Sequence, residues 1–236
     1  MKIGETGPMK EVLDFLSDLR VHNDREWFES NRSRYEGARR KFLAFTEGLI
    51  AGIGSFDPEV RELTAKDCTY RIYRDIRFSA NKDPYKTYMG AYVCRGGRKS
   101  GFAGYYFHLE PFDSEAKTGC FLVAGLYMPE SDVVKSVREE IFEDGAGFVR
   151  DVGKAREFRF SFAGALCRIP AGYPADSPYA DYLKMKDFCL ECPLSEQEIA
   201  SADLLERTVD RFRGARPFLM RLNRAVEYAY ELRADR

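Results

Sequence analysis

The residues with the richest chemistry lie in one stretch of the chain, between positions 71 and 86. It reads RIYRDIRFS and, two residues later, KDPYK. Arginine guanidiniums form paired hydrogen bonds with phosphate or carboxylate oxygens, and tyrosine hydroxyls add neutral donors. The sequence therefore predicts an anion-recognising cluster. Its expected substrate-binding members are Arg71, Arg74, Arg77, Lys82, Tyr85 and Lys86.

Apolar and polar residues alternate from Tyr70 to Phe78, which predicts a regular β-strand. Arg71, Tyr73, Asp75 and Arg77 would then share one face. Arg74 falls on the otherwise apolar face, and a buried arginine needs a partner. We expect either a carboxylate from another element, with Glu26 as one candidate, or a bulge that turns Arg74 outward.

A second group of candidate residues lies further along the chain. His108 and Glu110 are two residues apart on a predicted strand, so they share a face with Tyr106. The expected catalytic residues, if the protein is an enzyme, are Asp75, His108, Glu110 and Tyr73, with Tyr85 as an alternative donor. An ordinary hydrogen-bonded histidine is the competing interpretation. A metal site would need a third ligand that the sequence does not offer, so we expect neither metal nor cofactor.

Charge is distributed unevenly. The whole chain of 236 residues carries a net charge of −1, which excludes a globally basic nucleic-acid binder. Residues 65–100 carry nine basic and three acidic side chains, whereas residues 101–149 carry three basic and nine acidic ones. These two blocks either neutralise each other through ion pairs or leave a local positive patch that attracts an anion.

The elements that must position these residues follow from periodicity. Helices are predicted for Met9–Leu19 and from Asn23 or Asp24 to about Ile50, then from Ser131, from the capping box at Ser195 to about Phe212, and from Pro217 to about Leu232. Strands are predicted for 87–94, 102–109 and 119–128 and around 158–162 and 186–192. We therefore expect a single α+β domain over residues 1–236. A central, mainly antiparallel sheet, a meander, is packed with N-terminal and C-terminal helices.

Cysteine usage bears on location. The six cysteines are scattered and lack the density of a secreted disulfide framework, so we expect reduced thiols in the cytoplasm. The pair Cys189 and Cys192 forms a lone C-x-x-C without the second pair that zinc requires. No window is apolar enough for a transmembrane helix.

Several motifs together resemble a known family. They are the stretch 71–86, NDREWF at Asn23–Phe28, GYYFHLEP at 104–111, GLYMP at 125–129, and RIPxGY from Arg168. This combination resembles the conserved hypothetical proteins of domain-of-unknown-function family 2461, found in bacteria and some fungi. The resemblance covers nearly the whole chain. It implies one domain but no mechanism, and Asn81 departs from the acidic residue common at that position.

Two classes of function follow from these patterns. The first is an anion-recognising protein, and possibly an enzyme, that acts on a phosphate- or carboxylate-bearing small molecule. The second is a non-catalytic interaction or structural protein whose arginine-rich motif is an internal ion-pair network. Weak nucleic-acid binding is a further alternative that we do not favour, because no long basic stripe accompanies the aromatic residues.

Overall fold

A computed structural model describes residues 7–113 and 118–235 of the chain. Within these residues a five-stranded sheet forms the centre, and all its neighbouring strands are antiparallel. The strands are β1 (Met89–Cys94), β2 (Gly104–Leu109), β3 (Cys120–Leu126), β4 (Arg159–Phe160) and β5 (Phe188–Leu194). Their order across the sheet is β1-β2-β3-β5-β4, so the first three form the predicted meander. The predicted α+β class is confirmed.

Helices precede and follow the sheet, as the sequence predicts. Before it lie α1 (Lys10–Val21), α2 (Arg25–Ser30), α3 (Arg32–Gly54) and α4 (Ala65–Cys68). Between β3 and β5 lie α5 (Ser131–Glu143), α6 (Gly145–Lys154) and α7 (Ala180–Leu183), and α8 (Glu196–Ala200) and α9 (Leu204–Ala234) end the chain. No described helix combines the length and the apolar composition that crossing a bilayer requires.

The core lies between one face of the sheet and the two long helices, α3 and α9. On β2, the buried Phe107 ring packs 4.8 Å from Phe45 of α3. The buried Tyr105 ring packs 5.3 Å from Phe212 of α9. Because successive side chains on a strand point to opposite faces, Tyr106 and His108 project from the other side of the sheet. The core face and the chemically interesting face of β2 are therefore separate.

Three helix boundaries differ from the prediction. The helix predicted from Ser195 to about Phe212 ends at Ala200 as α8, and α9 begins at Leu204. The helix predicted from Asn23 or Asp24 to Ile50 is broken at Asn31, where α2 ends and α3 begins. Pro217, predicted to begin a helix, lies inside α9, which is continuous over 31 residues. A proline removes one backbone donor, and buried Phe212 and Phe218 hold the helix against the core on both sides of it.

The predicted strand from Tyr70 to Phe78 is wrong. This part of the chain forms only isolated bridges, Thr69 with Ala91 and Tyr73 with Tyr85. Of the face predicted to be apolar, Ile72 is buried, whereas the Phe78 side chain is 97% exposed. The alternating pattern failed because the chain turns back on itself here instead of pairing along β1. An alternation of charged and apolar residues describes a half-buried strand only where a partner strand is available.

Candidate functional site

Residues 72–86 form a short hairpin-like loop, which we call the hairpin segment. The Arg74 N–H donates to the Pro84 carbonyl at 2.9 Å, and the Lys86 N–H donates to the Ile72 carbonyl at 2.8 Å. At the turn, the Asn81 side-chain oxygen accepts from the Asp83 N–H at 2.7 Å. This local bond gives Asn81 a turn-forming role that needs no negative charge.

The hairpin segment is fastened to the N-terminal helices by one side chain. The Asn23 amide accepts from the Tyr85 N–H at 3.1 Å and donates to the Tyr85 carbonyl at 3.0 Å. The next residue, Asp24, caps α2 by accepting from the Trp27 N–H at 2.9 Å. Adjacent residues therefore begin α2 and hold the hairpin segment beside it.

Between α2 and the hairpin segment lies a cleft of about 350 Å³. It is lined by Arg25, Glu29, Tyr73, Arg74, Ile76, Pro84 and Tyr85. Two of the seven side chains are cationic and one is anionic. The remainder contribute tyrosine rings and aliphatic surface, so the cleft combines positive charge with an apolar wall.

The positive charge of Arg74 is not neutralised by an ion pair among the described residues. Its guanidinium donates to the Asp83 carbonyl at 3.0 Å and to the Ser79 hydroxyl at 3.3 Å. Neither acceptor is a carboxylate, so Glu26 is not its partner, and Arg74 is partly exposed rather than buried. Of the five guanidinium N–H donors, three have no acceptor in the part of the chain that the structure describes.

The anionic residue of the cleft is already engaged. Arg32 donates two hydrogen bonds to the Glu29 carboxylate, at 2.9 and 2.6 Å. This contact lowers the pKa of Glu29 and raises the pKa of Arg32. Glu29 therefore stays ionised but paired, and it offsets less of the charge of exposed Arg25 and of Arg74 than a free carboxylate would.

The other predicted anion-binding residues do not line the cleft. Arg77 forms a bidentate pair with Asp75, at 3.0 and 2.7 Å, and this contact lowers the pKa of Asp75. Lys82 donates to the Ile76 carbonyl at 3.1 Å. Arg71 is exposed. Burial, and then the charge of Arg71, lower the pKa of Lys86, whose ammonium lies 5.5 Å from the Tyr70 ring centre.

His108 and Glu110 belong to a separate group on the outer face of the sheet, the sheet-face cluster of Tyr88, Tyr106, His108, Glu110 and Phe121. One nitrogen of the His108 ring is 2.9 Å from the Tyr106 hydroxyl, and the other is 3.2 Å from Glu110. Its ring stacks on Phe121 at 4.3 Å. Both nitrogens are thus engaged, and burial raises the pKa of Tyr106 well above its usual range.

The two charge blocks do not neutralise each other among the described residues. The acidic block pairs instead with cations of the N- and C-terminal helices. Glu110 and Asp113 pair with Arg20 of α1, and Glu140 and Asp144 pair with Arg221 of α9. The positive block therefore keeps most of its charge, as the anion-binding interpretation requires.

No three His, Cys, Asp or Glu side chains converge as a metal site would require, within residues 7–113 and 118–235. All six cysteines are free thiols, and five of them are buried. Burial raises the pKa of the Cys189 thiol to about 12. A thiol with so high a pKa is mostly protonated and unreactive at neutral pH.

The cleft includes one element that the predicted cluster does not, namely α2. The sequence predicted Tyr73, Arg74 and Tyr85 as members of the cluster and suggested that Arg25 could meet the stretch 71–86, but it did not indicate Glu29. The available signal was the polar helix start at 23–29, whose apolar Phe28 faces inward while Arg25 and Glu29 remain exposed. Periodicity alone could not show that this exposed face lies opposite the hairpin segment.

Comparison with known proteins assigns the chain to one family. A family model described as "Conserved hypothetical protein (DUF2461)" matches residues 11–220, which include α2, the hairpin segment and the sheet-face cluster. Neither a curated protein nor a solved structure matches the chain significantly. The match spans most of the sequence, and the chain therefore belongs to the DUF2461 family of conserved hypothetical proteins.

Proposed function

We propose that the protein binds a small molecule bearing a phosphate or carboxylate group in the cleft between α2 and the hairpin segment. The observation that carries this proposal is the state of Arg74. Neutral acceptors orient its guanidinium toward the cleft, and no described carboxylate pairs with it. Arg25 adds a second cation from α2. A pre-oriented guanidinium with free donors is suited to bind phosphate or carboxylate oxygens.

The alternative of an internal ion-pair network finds little support. It requires carboxylates from other elements on the cations of the hairpin segment. In the described part of the chain, Arg77 with Asp75 is the ion pair that forms there, and these residues are neighbours in sequence. Such an exposed local pair contributes little to stability. The cations of the hairpin segment therefore contribute little to the stability of the fold, which leaves them able to bind an anionic ligand.

Binding is better supported than catalysis. Of the four predicted catalytic residues, Tyr73 lines the cleft. Asp75 is held outside it by Arg77, and His108 and Glu110 bond to each other in the sheet-face cluster. If the protein is an enzyme, a proton transfer in this cleft would involve Tyr73 first. A nucleic acid is a poorer fit, because the lining of this small cleft contains two cations, Arg25 and Arg74, whereas single-stranded nucleic acid requires a positively charged groove that follows its backbone.

We also propose a cytoplasmic location. All six thiols are free, and five are buried where oxidation would require the core to open. This arrangement suits a reducing compartment. Fusion to a fluorescent protein, followed by fractionation of the cells, checks it.

A thermal-shift and calorimetric screen tests the binding proposal. The probes are phosphate, nucleotides, sugar phosphates and dicarboxylates at constant ionic strength. We expect saturable stabilisation by at least one of them, since a ligand at one hundred times its Kd stabilises the folded state by about 2.7 kcal/mol. Arg74→Gln and Arg25→Gln should each weaken that binding about tenfold or more.

The matched control is Arg40→Gln, which removes an exposed arginine from α3, away from the cleft lining. This variant should bind as the unchanged protein does. A flat screen at low salt would overturn the proposal, and so would an affinity that falls equally in all three variants. If polynucleotides bind more tightly than small anions and their affinity decreases steeply with salt concentration, the result would instead support the nucleic-acid alternative.

A further inference from the structure

One wall of the cleft is the exposed end of an aromatic cluster. Phe28 of α2 and Tyr85 stack face to face, with ring centres 4.0 Å apart and planes 13° apart. Tyr73 packs against this pair at a tilt, with its ring centre 5.4 Å from that of Tyr85 and the two planes 54° apart. Exposure rises across the cluster, from 0% for Phe28 and 3% for Tyr85 to 41% for Tyr73. The cluster thus begins in the core and ends in an aromatic ring that solvent reaches.

This outermost ring is held in place from several directions. The backbone of Tyr73 bridges Tyr85, and Asn23 clamps Tyr85 to the start of α2. The buried Phe28 ring also contacts Tyr73, with ring centres 6.0 Å apart. A ring fixed in this way loses little conformational entropy when a second ring stacks on it, which favours binding.

The rest of the cleft surface combines aliphatic side chains with cationic ones. Ile76 and Pro84 add aliphatic surface beside Tyr73, while Arg25 and Arg74 supply the positive charge. An inorganic anion would leave the aromatic and aliphatic wall uncovered. A neutral apolar molecule would cover the wall but would screen Arg74 from water without compensating its charge, which is costly. A ligand that carries both a negative charge and an apolar surface would pair with the cations and also cover the aromatic and aliphatic wall.

Size limits this ligand further. Small-molecule pockets span roughly 300–1,000 Å³, so a cleft of about 350 Å³ lies at the lower end of that range. One ring with one anionic group suits such a volume better than a dinucleotide or a long chain does. The flat face of Tyr73 favours a planar ring over a puckered one, because aromatic rings prefer offset stacking or edge-to-face contact.

We infer that the ligand of this cleft is a small aromatic anion, an aryl phosphate or an aryl carboxylate, whose ring stacks on Tyr73 while Arg74 and Arg25 bind its anionic group. This inference rests on the proposed function and narrows it from anions in general to anions with a planar aromatic body. It also assigns Tyr73 a stacking role that does not depend on its hydroxyl.

Isothermal titration calorimetry of the full chain, with matched probes at fixed pH and ionic strength, tests the inference. Phenyl phosphate is compared with inorganic phosphate, and benzoate with both acetate and cyclohexanecarboxylate. Phenol supplies the ring without the charge. We expect at least one aryl anion to bind about tenfold more tightly than its non-aromatic counterparts and than phenol. The preferred pair identifies phosphate or carboxylate as the anionic group.

Two variants of Tyr73 distinguish the contribution of the ring to affinity from that of the hydroxyl. Tyr73→Phe keeps the ring and should retain the preference for the aryl anion. Tyr73→Leu removes the ring and should lower the affinity for the aryl anion about tenfold, while binding of the simple anion changes little. Circular dichroism and the thermal midpoint show whether each variant is folded.

The other outcomes distinguish this inference from the proposed function. If simple and aryl anions bind equally and Arg74→Gln weakens both, the aromatic preference is overturned and the anion-binding cleft stands. Equal binding of benzoate and cyclohexanecarboxylate, or equal losses in the two Tyr73 variants, also overturns stacking. If no anion binds, or if phenol binds as tightly as the anions do, the proposed function itself fails.

Discussion

At the scale of single residues, the shape of the cleft depends on side chains that bond to the backbone and do not line the cleft. Asn23 is the clearest case, because one amide satisfies both backbone groups of Tyr85. The sequence indicated Asn23 only as a helix cap. Its tertiary role could not be predicted, because a side chain that bonds a residue 62 positions away leaves no periodic pattern.

Removal of this clamp should therefore affect both stability and binding. We expect Asn23→Ala to lower the free energy of unfolding by about 1–3 kcal/mol, because two partly buried backbone groups lose their partner. Anion affinity should fall with it, since Tyr73 and Tyr85 lose their fixed position. Urea denaturation and calorimetry measure the two effects. Asn23→Asp keeps the acceptor and loses the donor, so its free energy of unfolding should lie between those of the alanine variant and the natural protein. Unchanged stability in both variants would contradict the role assigned to Asn23.

At the scale of elements, buried charge holds the C-terminal helices together. Arg221 of α9 is 6% exposed and contacts Glu140 of α5 at 2.7 Å, Asp144 at 3.0 Å and Asp151 of α6 at 3.0 Å. Without Arg221, Glu140 would keep only Arg224 and Asp151 only Lys154 among the described residues. The loss of one member of a buried ionic group typically costs 3–5 kcal/mol. This arginine thus joins α9 to α5 and α6 through an acidic side chain of each and through Asp144, which lies between them.

We expect Arg221→Ala to lower the free energy of unfolding by about 3–5 kcal/mol. Arg224→Ala is the matched control, because Arg224 contacts the same Glu140 at 3.0 Å but its side chain is 61% exposed. An exposed pair contributes about 0–1 kcal/mol. Chemical denaturation of both variants measures the difference; similar losses in the two would contradict the importance of burial.

The capping box of α8 predicts a pH dependence. Glu198 bonds the Ser195 N–H and hydroxyl at 2.8 and 2.7 Å and also contacts Arg211 of α9 at 2.5 Å. Although burial opposes ionisation, these contacts lower the pKa of Glu198 from 4.5 to about 2. Because the folded pKa is the lower one, this stabilisation is fully present above about pH 4.5 and is lost as the pH falls toward 2.

Glu198→Gln should therefore cost about 1–3 kcal/mol at pH 7 and nearly nothing near pH 2. Glutamine can still complete the capping box, so the variant removes mainly the charge. Urea denaturation as a function of pH, compared with the natural protein, measures this difference. A cost that does not change with pH would show that the charge of Glu198 contributes nothing.

Some elements could be predicted from the sequence and others could not, because only some of them depend on local patterns. The meander and the Ser195 capping box were predicted, because period-two alternation and capping are local patterns. The first part of the hairpin segment was mistaken for a strand, because alternation does not show whether a chain pairs along β1 or turns back on itself. The continuity of α9 through Pro217 depends on core packing around Phe212 and Phe218, which no local rule contains.

At the scale of the whole molecule, the fold separates its charges. The acidic block is paired with the terminal helices, while the cations around the cleft are left largely unpaired. Overall neutrality thus coexists with a local positive site. The sequence showed the two blocks but could not show their partners, because those partners lie on helices distant in the chain.

The shared core predicts that the chain unfolds as a single domain. The sheet packs against both α3 and α9, so neither end has a core of its own. We expect thermal unfolding followed by the fluorescence of Trp27, near the N-terminus, to coincide with unfolding followed by far-UV circular dichroism. Two separated midpoints would contradict a single cooperative unit.

The central claim is that Arg74 and Arg25 face an open cleft that binds an anion. The most direct measurement is a crystal structure of the protein grown without phosphate or sulfate and soaked in millimolar tungstate, whose anomalous scattering locates the anion. We predict an anomalous peak within hydrogen-bond distance of the Arg74 guanidinium, with Arg25 on the other side. A cleft without such a peak, or an Arg74 paired with a carboxylate from another element, would contradict the account.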